Sequence, residues 1–435
     1  MKDKIKSRLS KQAILVLGIN VFSKIAGFIR EVLISSTFGI SRLTDTFFTI
    51  QQIPMFIGNY MLGAFNLVFV PQYSLASKEG NSRGFLFKTF MFFLICGLLM
   101  FFFMYQGTEY IEKIFFPNLA GIGYVEQFVR ILSITILPSI LIGFGYGIYL
   151  SEQKHIKSMI LMSLSQVIML ASLVIFLVFS FENQTYSLPW SFTIGMIIAG
   201  IWALWIIINR YKNAKADKSE KTINMRVFFK QLFAASAENV GYNTNQMLTI
   251  YFAVKAGAGA VSINAFALRI MMLALGGVLT PIHQMIQGWL SNNKEVATKK
   301  FKQINIFMLI LTVAIAIVVV IFRETIVSLI YERGSFDKEA TKKVASLLVP
   351  YFVYFVVMAQ NQLMARYFFV FGRGGVYTTT LLIGYVISNI LKPYLLYAYG
   401  MEGLIWACCI GEGLALVILN LIYIRDYKKE EPLSS

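Results

Sequence analysis

The chain has 435 residues, of which 57% are hydrophobic and only 14% charged, with a formal net charge of +17. No soluble domain of that length hides so much apolar surface from water, so the composition excludes a soluble protein and leaves an integral membrane protein. The basic excess resembles that of a nucleic-acid binder, but its placement along the chain reads as a topology signal instead.

Apolar runs of about 20 residues, the length that crosses a bilayer as a helix, recur about twelve times. In the first half they lie near 12–36, 46–71, 85–105, 123–150, 156–180 and 188–209. In the second half they lie near 227–254, 261–290, 303–330, 344–371, 376–398 and 402–424. The start, "MKDKIKSRLSKQAILVLGIN", is basic like a signal peptide. It has no small-residue cleavage site and its apolar run continues, so it reads as a retained first span.

With the N-terminus placed in the cytoplasm, one side collects most of the Lys and Arg. These include Lys2, Lys4, Lys6 and Arg8, then Lys154 and Lys157, the series Arg210 to Lys230, and Arg425, Lys428 and Lys429. The opposite side keeps Arg42, Lys113, Lys255, Arg333, Lys338, Lys342 and Lys343. The positive-inside rule then places both termini in the cytoplasm. Anionic membrane lipids are expected partners, and nucleic acid is not.

The basic loop 210–226 divides the spans six and six: an N-lobe over 1–209, a cytoplasmic linker over 210–226 and a C-lobe over 227–435. The halves echo each other. "LGAFNLVFVPQYSLASKEGNSRGFLFK" covers Leu62 to Lys88, and "LGGVLTPIHQMIQGWLSNNKEVATKKFK" covers Leu275 to Lys302. Each runs from glycine through an apolar stretch to a proline (Pro71 or Pro281), a polar turn and a lysine-bearing start of the next span. An even span count keeps the halves in the same orientation, so the expected class is all-α with a parallel repeat. Such repeats put a substrate path at their interface. Chance sharing of Gly, Pro and Lys by two membrane hairpins is the alternative.

Charges inside spans are costly and usually face a bundle interior or a watery cavity. Arg30 falls in the outer half of span one, and Arg269 about 10 Å below the outer end of span eight. Lys24 and Lys392 are also inside spans. A cationic lining of this kind suits an anionic cargo such as a pyrophosphate, whose oxygens arginine grips bidentately. Plainer readings compete: Arg30 snorkels to head groups, as do Arg323 and Arg366 near span ends. Arg130 pairs with Glu126 one turn earlier, and Asp45 N-caps span two.

Among the acids, Glu238 falls near mid-bilayer in "AASAENVGYNTNQ", with Asn239, Asn243, Asn245 and Gln246 after it. Glu412 falls near the middle of span twelve in "CIGEGLAL", where flanking glycines would let a neighbouring helix approach. Such carboxylates either couple transport to a cation or serve as structural partners for Lys392 or Arg269. Cys96, Cys408 and Cys409 show neither a disulfide framework nor metal spacing. His155 and His283 fall near cytoplasmic span ends and read as interfacial. "KEGNSRG" lacks the P-loop spacing, so direct ATP use is not expected.

"SKIAGFIREVLISSTFGISRLTDTFFTIQQIP" resembles the opening of the MurJ lipid II flippases, a branch of the MOP exporter superfamily. The matching positions are Ser23, Gly27, Phe28, Arg30, Phe38, Gly39, Thr44, Asp45, Phe47, Phe48, Ile53 and Pro54. "GAFNLVFVPQY" and "LIYERGSFD" are similar to two further family motifs, in the family's order. The resemblance implies two six-helix lobes around a central cavity. It also implies flipping of a polyprenyl-pyrophosphate-linked saccharide by alternating access, in a bacterial cytoplasmic (inner) membrane. Substrate-binding roles follow for Arg30, Asp45, Arg269 and Lys24, the last standing where the family usually has arginine.

No cofactor is expected beyond a coupling cation (Na+ or H+) or the membrane potential, with Glu238, Asn389 and Glu412 as coupling candidates. A monomeric transporter rather than an enzyme is expected. The chain also departs from the family. An arginine pair is missing where Gly58 and Asn59 stand, Glu31 replaces an aspartate, and Lys392 stands near where many members put an acid. The family commonly has fourteen spans, and twelve are accounted for here. Another lipid-linked glycan (O-antigen, capsule or exopolysaccharide unit) is therefore the alternative cargo, and a cation-coupled drug exporter the alternative activity. A membrane glycan polymerase fits poorly, because the outer loops are short.

Overall fold

A computed structural model describes residues 2–115, 123–179, 184–214 and 225–430. Most of the linker expected over 210–226 lies outside the described residues. Within them the secondary structure is helical and contains no strand. Hydrocarbon offers the backbone no hydrogen-bond partners, so each apolar run satisfies its own peptide groups as a helix.

The chain forms two compact units, Met1–Ile34 with Thr46–Val240, and Ser35–Asp45 with Gly241–Ser435. The first holds most of α1 (Lys2–Phe38) and α2 (Arg42–Tyr60), then α3 (Asn66–Glu79), α4 (Ser82–Gln106) and α5 (Thr108–Phe115). It continues through α6 (Gly123–Ser133), α7 (Ile136–Ser151), α8 (His155–Val178), α9 (Ser187–Asn213) and the first half of α10 (Met225–Ala256). The contacts thus divide inside α10, whereas the lobes read from sequence meet at 210–226. Phe228 and Phe229 explain where the start of α10 goes. They pack edge-on against Phe85 and Phe92 of α4, while Ser236 bonds the Tyr60 hydroxyl at 3.0 Å.

The second unit holds α11 (Ala260–Ala274), α12 (Thr280–Asn292), α13 (Lys294–Ile321), α14 (Arg323–Tyr331), α15 (Lys338–Val370) and α16 (Gly374–Glu430). Gly400 breaks α16 (φ 61°, ψ −144°), so this segment supplies the two spans expected at 376–398 and 402–424. Among the described residues, nine helical stretches are long and apolar enough to cross a membrane, α16 counting as one. Helices α1 and α10, of 37 and 32 residues, are long enough at about 1.5 Å per residue but carry the charged and amide groups noted above. On α13, Phe307, Ile310, Ile317, Val318 and Ile321 are all exposed. A soluble protein does not leave such a stripe bare, and lipid covers it.

The internal echo has a structural counterpart. Each copy opens on one turn of π-helix, Met61–Phe65 in the first and Leu275–Leu279 in the second. A helix of 14 or 13 residues follows each, α3 or α12. A π turn carries one extra residue and disturbs the local ladder. In the first copy Asn66 repairs it, its amide donating to the Met61 carbonyl at 2.6 Å and to that of Gly143 at 3.1 Å.

Candidate functional site

In the first unit, Arg30 does not snorkel. Only 9% of it is exposed, and its guanidinium turns onto α8. Nη1 donates to Gln166 Oε1 at 3.1 Å and contacts Met169 Sδ at 3.1 Å. Nη2 pairs with Glu31 Oε1 at 2.9 Å. These partners hold the charge inside the span, where an unpaired one is unfavourable. Lys24 is on the same helix but exposed. Six residues at about 100° each place it on a different face from Arg30, so the two cations of span one are not one cluster. Arg130 pairs with Glu126 at 2.5 Å as expected, half-exposed.

Asp45 does not cap its own helix. Ser41 and Thr44 do that reciprocally: Thr44 N–H donates to Ser41 Oγ at 3.3 Å and Ser41 N–H to Thr44 Oγ1 at 3.0 Å. That arrangement is a capping box with threonine in the third position. Asp45, 6% exposed, instead caps α11. Its carboxylate accepts from Gly259 N–H at 2.5 Å, Ser262 N–H at 2.7 Å and Ser262 Oγ at 2.5 Å. A carboxylate at a helix N-terminus satisfies orphan donors and complements the helix dipole. Arg269, further along α11, is half-buried.

The same corner is closed from the other side by the loop after α14. Ser335 N–H donates to the Ser36 carbonyl at 2.7 Å, and Ser335 Oγ to the Thr37 carbonyl at 2.9 Å. Gly39 has φ +57°, and a Cβ there would sit 2.6 Å from the Ser335 carbonyl oxygen, so both backbone conformation and space demand glycine. Asp337 then N-caps α15 through Ala340 N–H at 2.8 Å. Two segments quoted above, "FGISRLTD" and "ERGSFD", are therefore partners.

Glu412 and Asn389 belong to one buried network in the second unit. Glu412, 2% exposed, accepts from the Tyr354 hydroxyl at 2.5 Å and from Asn245 Nδ2 at 3.4 Å. Asn245 Oδ1 in turn accepts from Lys392 Nζ at 2.6 Å and from Ser388 Oγ at 3.2 Å. Lys392 also donates to the Asn245 carbonyl at 2.6 Å and to Asn389 Oδ1 at 2.7 Å. Lysine and glutamate are thus partners through an amide rather than directly. Of the glycines beside Glu412, Gly411 makes the close approach, since a Cβ there would meet Ser388 N at 2.7 Å, while Gly413 faces open space. Gly411→Ala is expected to destabilise the protein by about 1–3 kcal/mol, seen as a lower melting temperature. Gly413→Ala, with open space around it and a helical backbone, should not lower the melting temperature and is expected to raise it slightly.

Glu238 is half-buried and belongs to the first unit, whereas Asn389 and Glu412 belong to the second. Arg366 is bonded to Gln287 Oε1 of α12 at 3.1 Å rather than extended to head groups. His283, read as interfacial, is fully buried. Sequence reasoning missed Asn245 as a hub, although it stands among the amides after Glu238. Nothing in the sequence pointed to Gln166, Met169, Ser262 or Tyr354, because each meets its partner from a distant helix.

The family described as "Lipid II flippase MurJ" matches residues 34–433. A probable lipid II flippase MurJ of Aquifex aeolicus (strain VF5) is 25% identical over 348 residues, covering 77% of this chain and 67% of the relative. A solved structure of lipid II flippase MurJ in an inward closed conformation superposes with a TM-score of 0.84 at 20% identity, over 96% of this chain and 89% of that one. An inward-facing multidrug resistance MATE family transporter of the MOP superfamily gives 0.76 at 14% identity, over 97% and 100%. At these identities the two superpositions establish the fold: it is that of the MOP transporters.

Proposed function

This chain belongs to the lipid II flippase MurJ family, and we propose from that premise how its own residues serve the flipping of lipid II. The cargo is a polyprenyl-pyrophosphate-linked saccharide carried from the cytoplasmic to the outer leaflet of the bacterial inner membrane by alternating access, with both termini cytoplasmic. The family match across most of the chain carries this reading. Arg30 supplies the group chemistry that suits it, a permanent cation able to fork onto phosphate oxygens. At rest that fork is occupied by Glu31 and Gln166. A pyrophosphate then competes with the Glu31 carboxylate for the guanidinium, which gives cargo a differential contact able to shift a conformational equilibrium.

The departure at Gly58 and Asn59, where the resemblance leads one to expect paired arginines, favours a second cargo, another lipid-linked glycan on the same pyrophosphate. Complementation separates the two. A bacterium depleted of its own lipid II flippase is expected to grow when this chain is supplied. Failure of a well-expressed, membrane-inserted protein would shift the assignment to the other glycan. Growth on a MATE transporter in the same strain would remove the test's discrimination and is the control.

A further inference from the structure

We propose that the Lys392 ammonium is a tethered cation filling the oxygen-lined position in the second unit, so that no exchangeable sodium or potassium ion binds there. The two coupling candidates in this unit are already committed. Asn389 Oδ1 accepts from Lys392, and Glu412 Oε1 accepts from Tyr354 and Asn245. An alkali ion in a membrane span needs several carbonyl or carboxylate oxygens to replace its water. Three such oxygens converge here, and all three lie 2.6–2.7 Å from Lys392 Nζ. An ammonium has three donors, so the group and its cage match one for one.

Burial and charge agree with this. Lys392 is 0% exposed, whereas a lysine with a free choice extends its stem toward water. The network holds one lysine and one glutamate, bridged by Asn245. A second cation sharing those oxygens would sit against the ammonium, and would leave a buried positive charge without a counterion. Asn389 and Lys392 are three residues apart, hence on one face of α16, so the chain presents the ligand and the cation that occupies it together. The inference goes beyond the lipid II reading and holds whichever saccharide is carried, because its readout is ion binding.

The test is melting of the purified full chain in sodium, potassium or choline chloride at equal ionic strength, with radioactive sodium binding measured in parallel. The wild-type chain is expected to melt alike in all three and to bind no sodium saturably. Lys392→Ser, which removes the ammonium and leaves the oxygens, should gain a saturable rise in melting temperature with sodium or potassium. Adding Asn389→Ala should cancel it. Lys392→Met fills the space without charge and should stay indifferent to the salt. A saturable sodium effect on the wild-type chain that Asn389→Ala removes would overturn the proposal. So would a folded Lys392→Ser that melts identically in every salt. The wild-type measurement decides the matter even where Lys392→Ser does not fold.

Discussion

Arg30→Ala is expected to abolish transport while the protein still inserts in the membrane. Two effects combine in that variant. The phosphate grip proposed for the guanidinium is lost, and charge-assisted hydrogen bonds are worth about 1.5–3 kcal/mol each. Glu31, with 4% of its side chain exposed, also loses its guanidinium, and breaking a buried pair from one side costs about 3–5 kcal/mol. A lower melting temperature is therefore part of the expected result. Removing both charges, with Arg30→Met and Glu31→Gln together, separates the effects. The double variant should regain much of the stability and still fail to transport in a vesicle flipping assay. If it flips at the wild-type rate, Arg30 serves structure alone. Arg30→Lys keeps a charge but not the planar fork, and its transport should fall well below wild type.

Asp45→Ala is expected to destabilise the second unit more than any other single carboxylate change outside the Glu412 network. Two backbone donors lose their acceptor, Gly259 N–H and Ser262 N–H, while Ser262 Oγ keeps Thr44 Oγ1 at 2.7 Å. An orphaned buried donor costs about 1–3 kcal/mol, and a lost N-cap about 1 kcal/mol. A total on the order of 3–5 kcal/mol follows, since such losses overlap. Asp45→Asn keeps one oxygen and should fall between alanine and wild type in melting temperature. An Asp45→Asn protein as stable as wild type but unable to transport would give this carboxylate to the cargo instead.

What could be read in advance was local. An apolar run long enough to span is a property of neighbouring residues, and helices lie where the runs predicted them, down to the two spans that α16 joins at Gly400. The Gly–Pro–Lys echo was likewise visible, although the π turn opening each copy was not, because it reflects backbone accommodation rather than residue type. The polar sites were legible as residues and opaque as pairings. Asp45 at the start of a helix reads equally as its own cap. That Thr44 beside it is the residue bonded to Ser41, which leaves the carboxylate for another helix, shows only in the fold. Arg30 in the outer half of a span reads equally as a snorkelling group, since Gln166 is 136 positions away. Glu412 read either as a coupling group or as a partner of Lys392 or Arg269, and the amide of Asn245 that links it to Lys392 lies on a third helix segment.

The α1–α2 corner is built into the second unit, and Ser335 bonds a carbonyl 298 residues before it. A ribosome adding about 5–20 residues per second needs roughly 15–60 s to bridge that gap. The α11 donors that Asp45 will cap come 214 and 217 residues after it, so the carboxylate waits roughly 11–43 s for them at the same rate. Closing the corner then needs a loop that spans most of the chain, so one of the earliest-made segments of the protein is completed only after α14 has been made.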